Sequence, residues 1–341
     1  MATHEMKSEH LILSGFSDES ANQKTMDQQF SAFAALGLQH LSLRFIDAGS
    51  GTKNLMDLDE AEIDRVNEKL VEYHLQVSSI GSPIGKVKLL DVDDGTRNRF
   101  LPFEEYLEND VSKACDLAIR FGSKLIRGFS FYHPRGEVPE EHLDAVIERL
   151  REIARVCDAH GLTFGLEVEA NLVGQNGQLL AEIHRAVDSD ALVLIFDGGN
   201  LVSQGYTQQE IFSQYLAMKP GLGWIHVKDF RNPDPLKRIM HVDEDALKHY
   251  VPVELGNSGY LEILKDLKDF LPELTRRLAG RGIAGMFADL EPHVKGGGQF
   301  GGFSGPDGFG VALRSFCRLC DQAQVGYHLT DFNDIETFRG F

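Results

Sequence analysis

Short apolar runs alternate with longer amphipathic stretches along the 341-residue chain. The two spacings, near two residues and near 3.6, predict strands and helices in turn. The strand candidates are LILSGFS (11–17), HLSLRFI (40–46), QVSSIGSP (76–83), KLIRGFSF (124–131), TFGLEVE (163–169), ALVLIFD (191–197), GWIHVKD (223–229) and GMFADLEP (285–292). Between them the pattern predicts helices, among them 25–37, 58–74, 141–161 and 260–280. Gly37, Gly122 and Gly161 each stand just ahead of a strand, where a glycine closes a helix in the left-handed conformation.

Strictly alternating strands and helices imply parallel pairing, and the chain holds eight such units. An open doubly wound sheet usually has fewer strands, and its first turn would carry a G-x-G-x-x-G loop, which is absent here. The expected fold is therefore α/β, a single (β/α)8 barrel domain over 1–341. The barrel itself takes about 11–322, with an extended loop after strand seven (231–259) and a short C-terminal extension over about 323–341. No linker, low-complexity tract or short-period repeat divides the chain.

Composition narrows the classes without choosing among them. The chain is 42% hydrophobic and 25% charged, an ordinary globular balance. Its net charge of −18 speaks against wrapping a phosphate backbone, so no nucleic-acid partner is expected. Four unevenly spread cysteines (Cys115, Cys157, Cys317, Cys320) suit a reducing compartment. Cys317 and Cys320 lie on the predicted eighth helix with no second Cys/His pair nearby, which points to helix packing and not to zinc. The N-terminus lacks an apolar signal core, and no stretch approaches the roughly 18 apolar residues of a membrane span. A soluble, cytoplasmic protein with no membrane contact is expected.

The chemistry in such a barrel gathers at the C-terminal strand ends. The last four strands have apolar bodies and ionisable ends: Glu167 and Glu169, then Asp197, then His226, Lys228 and Asp229, then Asp289, Glu291 and His293. Alternation puts Glu167 and Glu169 on one face. Helices cover the outside, so that face is the interior. Buried carboxylates without partners are costly, and several that converge repel one another unless a cation sits among them. Glu, Asp, His and Glu form an oxygen-rich set with one imidazole. That suits one divalent ion of Mn²⁺, Mg²⁺, Co²⁺ or Zn²⁺, not a thiolate metal. Taken singly, each carboxylate could instead serve a salt bridge or a helix cap.

The stretches GSPIGK (81–86), RGFSFY (127–132), LEVE (166–169), IFDGGN (195–200), WIHVKD (224–229) and DLEPHV (289–294), in this order, resemble the xylose-isomerase-like TIM-barrel superfamily, specifically its sugar (phosphate) isomerase/epimerase branch. The resemblance implies a divalent metal held by Glu167, Asp197, His226 and Glu291, with Glu167 and Glu291 also acting as the acid/base pair. Glu169 is the alternative to Glu167. It further implies a small carbohydrate substrate and, by analogy, a homo-oligomer. Two departures stand out. Asn200 takes a place where sugar epimerases often have histidine, and VELGNSG (253–259) replaces the Gly-Glu-Gly-Asp common after "VP" in relatives.

The implied activity is a metal-dependent sugar or keto-sugar isomerase or epimerase that abstracts an α-proton and passes through an enediolate. The alternative is a dehydratase or lyase of keto-sugars or keto-inositols on the same site. An apurinic-site endonuclease would need more strand-end histidines and a basic face, and a non-catalytic barrel would be expected to lose the ligands. Further substrate-binding candidates are Arg44, Lys86, Arg127, His133, Glu169, Asn200, Lys228 and His293, with internal ion pairing the equal alternative for Arg44 and Arg127. Lys228 could equally form a plain salt bridge to Asp229 or to another carboxylate. The spacing around Lys86 is wrong for a Walker A loop, and Pro134 makes a surface turn at His133 the alternative. Glycines 296–298, 301, 302, 305, 308 and 310 suggest a backbone that approaches a ligand or moves as a lid, or else a plain surface loop.

Overall fold

The computed structural model describes residues 10–234, 246–294 and 304–339. Eight parallel strands form its centre: β1 (His10–Gly15), β2 (His40–Leu43), β3 (Gln76–Ile80), β4 (Leu125–Gly128), β5 (Thr163–Glu167), β6 (Leu192–Asp197), β7 (Leu222–Val227) and β8 (Phe287–Leu290). They pair in the order β1-β8-β7-β6-β5-β4-β3-β2. A parallel bridge between Phe16 and Ser42 joins β1 to β2 and closes the ring. The helices that cover it are α1 (Met26–Ala35), α2 (Glu60–Glu72), α3 (Ser112–Arg120), α4 (Leu143–Ala159), α5 (Gly177–Val187), α6 (Gln208–Met218), α7 (Tyr260–Ala279) and α8 (Pro306–Ala323). Local chemistry fixes their ends. Asp59 and Thr207 make reciprocal capping boxes at α2 and α6, and Gly37, Gly122 and Gly161 have the expected positive φ, between 64° and 76°.

Several boundaries differ from those the pattern predicts. β2 stops at Leu43, because Phe45–Asp47 turns away to pair antiparallel with Thr52–Asn54. β3 stops at Ile80, ahead of Gly81, Ser82 and Pro83, the last without an amide to donate. In the insertion after β7, Asp229–Phe230 pairs antiparallel with Tyr250–Val251 and ties its base. Residues 235–245 of that insertion and glycines 296–298, 301 and 302 lie outside the described residues. Gly308 and Gly310 are not loop residues, as the glycine-rich reading had them. They are buried in α8, and a side chain at Gly308 would meet the Val294 carbonyl at 2.6 Å. The C-terminal extension does more than trail. Gly326–Tyr327 pairs parallel with His10–Leu11, and a last helix, α9 (Phe332–Arg339), follows. Cys317 and Cys320 are buried in the core, where helix packing was expected.

Alternation along the strands sorts the barrel interior into layers. Beneath the strand ends, Asp289 accepts from Ser42 at 2.7 Å and from Ser78 at 3.4 Å, while Ser14 and Ser78 share a hydrogen bond of 2.6 Å across the ring. The buried ring of Trp224 fills the other side of this layer and lies against Gly165, where a Cβ would stand 2.2 Å from the indole. This layer is the floor on which the strand-end side chains rest. At the opposite end of the barrel the largely buried His40 packs its ring against Phe287, with centroids 5.4 Å apart.

Two predictions follow from this layer and from His40. Gly165→Ala should cost about 1–3 kcal/mol, the usual price of overpacking, read as a lower urea midpoint by circular dichroism. Trp224→Phe in the same chain should recover part of the loss, and an unchanged midpoint for Gly165→Ala would show that the indole does not fill this space. Burial lowers His40 from 6.5 to about 4. The unfolded chain therefore takes up the proton first, and stability present above 6.5 is lost as pH falls towards 4. Compared with His40→Gln, the natural chain should lose on the order of 3 kcal/mol more across that window, measured by urea unfolding at stepped pH.

Candidate metal centre

Glu167 ends β5, Asp197 ends β6, His226 is the penultimate residue of β7, and Glu291 follows β8. Parallel register sets them side by side: Glu167 pairs with Ile195, Asp197 with His226, and His226 with Asp289, two residues before Glu291. All four are buried, and each brings one donor atom within 4.8 Å of the others'. The Nδ1 atom of His226 lies 3.2 Å from Glu167 Oε1, 3.7 Å from Glu291 Oε2 and 3.9 Å from Asp197 Oδ2. It makes no well-directed hydrogen bond to any of them, and Nε2 has none either. A buried imidazole nitrogen ringed by three carboxylate oxygens, yet bonded to none, fits a divalent cation better than it fits a hydrogen-bond network.

Cations hold these carboxylates in place. Arg127 Nη1 donates to Glu167 Oε2 at 3.1 Å, and Arg44 donates to Glu291. Lys228 Nζ stands 2.9 Å from both Asp197 Oδ2 and Glu291 Oε2. The electrostatics follow from burial against these charges. Burial works against ionising Glu291, but Lys228 and Arg44 hold its carboxyl well below the usual range. Burial likewise opposes Glu167, which His226 and Arg127 bring down to about 2. For Asp197 burial wins over Lys228, and the group rises to about 6. Burial would lower His226, and the three carboxylates, Glu167 foremost, raise it instead.

The other sequence candidates divide into two groups. Asn200 joins the centre: its Nδ2 donates to Glu167 Oε1 at 3.2 Å and to the Val168 carbonyl at 3.0 Å, so it fixes the glutamate's orientation. Lys228 joins it too, through Asp197 and Glu291. Of the alternative salt bridges, the one to another carboxylate is made, to Asp197 and Glu291, and the one to Asp229 is not, since neighbouring residues point to opposite faces. Asp229 instead accepts from the Ser258 hydroxyl at 2.6 Å and from the Asn257 and Ser258 amides, the use to which VELGNSG is put. Glu169 sits nearer solvent in an ion pair with Lys86 (2.8 Å), whose ammonium lies over the Phe129 ring. That separates Glu169 from the ligand set it was the alternative for. His133 contacts the Pro134 carbonyl and stacks on His142, and His293 meets Glu19 at 2.6 Å.

The sequence reading missed three features. Asp18 and Glu19, fully buried just after β1, pair with Arg44 at 3.0 and 3.2 Å. Phe16 sets its ring edge-on against His226, and both Arg44 and Arg127 lie over it. The serines around Asp289 turn that residue into part of the floor. Asp18 and Glu19 carry the same signal as the later strands, ionisable residues directly after an apolar run. The serines carry none, because their partners are far away in sequence.

No curated protein matches this chain in sequence. Solved structures do match in fold. The IolI protein with a bound zinc atom superposes with a TM-score of 0.64 at 13% identity, over 92% of this chain and 99% of that one. The probable 3-DHS dehydratase AsbF from Bacillus anthracis gives 0.61 at 17% identity, over 90% and 98%. D-psicose 3-epimerase with D-tagatose, from Clostridium cellulolyticum H10, gives 0.54 at 12% identity, over 92% and 98%. At such identities the likeness is one of fold. The family described as xylose isomerase-like TIM barrel matches residues 30–271 directly in sequence. With its strands closing in the order found here, the chain belongs to the xylose isomerase-like TIM-barrel family.

Proposed function

We propose that the protein is a divalent-metal-dependent isomerase or epimerase of an α-hydroxy ketone of the sugar class. The observation that carries this reading is the buried set of Glu167, Asp197, His226 and Glu291 around one point, with an imidazole nitrogen left without a hydrogen bond. A divalent ion held by these four residues would supply a Lewis acid that polarises a carbonyl and favours negative charge on oxygen.

The chain's own residues supply the proton chemistry. Glu167 and Glu291 come from β5 and from the end of β8, strands separated in the ring by β6 and β7. A substrate between them therefore meets one carboxyl from each side. Glu167, ionised and held by Arg127 and Asn200, takes the α-proton. Glu291, which Arg44 and Lys228 hold ionised, returns one only after taking up a proton from solvent as the substrate draws those cations away. Return to the opposite face of the same carbon gives an epimer, and return to the neighbouring carbon gives an isomer. Asp197 and His226 serve as ligands only. The tight packing of Phe16 on His226 fixes the imidazole plane.

A second reading keeps the same site and changes the bond broken, and Asn200 does not decide between the two. An amide at this position, donating to Glu167, offers no titratable group there. If the substrate carried a leaving group β to the carbonyl, loss of the α-proton would expel it and give a dehydratase or lyase. The dehydratase among the structural neighbours has the same fold.

The test is proton NMR in D₂O. Purified protein, loaded with Mn²⁺ and later treated with chelator to limit line broadening, is incubated with ketoses, ketose phosphates and keto-inositols. Loss of the α-proton signal is expected, and Glu291→Gln or Glu167→Gln should slow it by about 10²–10⁴-fold. Products then separate isomer from elimination. Tight Mn²⁺ binding with no exchange on any panel member would sink both enzymatic readings.

A further inference from the structure

The strand ends hold as many buried cations as ligand carboxylates. Arg127 answers Glu167, Arg44 answers Glu291, and Lys228 lies between Asp197 and Glu291. The acids just outside this ring do not leave charge to spare. Asp18 and Glu19 are met by Arg44, Lys24 and His293, and Glu169 is met by Lys86. With Arg44 counted once, Arg44, Arg127, Lys228 and Lys24 face Glu167, Asp197, Glu291, Asp18 and Glu19, so the acids without metal exceed these cations by one, less than the charge a divalent ion brings.

A divalent ion adds two positive charges to that balance. The site is buried, and charges there are screened far less than at the surface. The same carboxylate oxygens then face both the ion and the ammonium and guanidinium groups, and they cannot satisfy all of them. Lys228 is the most exposed to this conflict, because both of its oxygen partners belong to ligand residues. Arg127 is the second. Its guanidinium is buried between the Phe16 and Phe129 rings, 5.1 and 4.8 Å from their centroids, and its Nε has no hydrogen-bond partner. A buried guanidinium with an unused donor beside a metal centre is arranged for an oxyanion. A neutral sugar brings none.

On the metal-centred reading above, we infer that the substrate carries an oxyanion, a carboxylate or a phosphate, apart from its α-hydroxy ketone, and that Lys228 and Arg127 receive it when the metal is bound. Metal and anionic substrate then strengthen each other's binding, since each relieves the charge the other leaves. By linkage the effect is reciprocal and can be read from metal affinity alone.

The experiment titrates the full-length protein with Mn²⁺ and follows free Mn²⁺ by electron paramagnetic resonance. It is repeated with D-fructose, with 5-keto-D-gluconate and with D-fructose 6-phosphate. At least one anionic ketose should tighten Mn²⁺ binding by about tenfold or more, while fructose leaves it unchanged. Which of the two does so assigns carboxylate or phosphate. The coupling should disappear in Lys228→Gln and weaken in Arg127→Lys, both of which keep the four metal ligands. Equal tightening by fructose, no tightening by any of the three, or coupling that survives in Lys228→Gln overturns the inference. The α-proton experiment judges the enzymatic reading separately. Exchange with neutral fructose and no anion coupling leaves that reading intact and removes this one, whereas coupling without exchange does the reverse.

Discussion

Everything at the top of this barrel depends on one constraint: carboxylates from three strand ends converge on one another while almost wholly buried. Like charges so placed would force the strands apart or stay protonated. The fold answers with Arg127 on β4 and with Arg44 and Lys228 directly after β2 and β7, each seated on a ligand residue. Those cations in turn need support, which Phe16 and Phe129 give through their ring faces and Asp18 and Glu19 through charge. The site is a set of nested compensations, and each shell explains the residue types of the next.

The floor matters for the same reason. Trp224 and the serines around Asp289 fill the layer below the ligands, so the strand-end side chains cannot sink into the barrel. Gly165 is the counterpart of that filling, since any side chain there would occupy the indole's place. Packing and charge thus act on the same four residues from opposite sides. The packing sets their height, and the cations set their direction.

Much of this was legible in the sequence because it follows from short-range rules. Strand alternation fixed which of Glu167 and Val168 faces inward, and the helix-closing glycines marked where strands begin. The same alternation, applied strictly, already separates Lys228 from Asp229. What the sequence did not disclose depends on register between distant segments. Ser42 and Asp289 are 247 positions apart, and nothing local to either predicts that they meet. Asn200 is an intermediate case. Its departure from the expected histidine was visible, but its bond to Glu167 required the two strands to be laid side by side.

The way the ring closes has a consequence for how the chain is made. The first strand, His10–Gly15, takes its ladder partners from Phe287–Leu290 and from Gly326–Tyr327. During synthesis, at about 5–20 residues per second, its edge towards Phe287–Leu290 must therefore wait until that strand is made, while the other edge meets Ser42 early, at Phe16 alone. A strand left open that long is a template for pairing with other chains. The first strand is thus made long before the strand that covers one of its edges, so that edge stays open through most of synthesis.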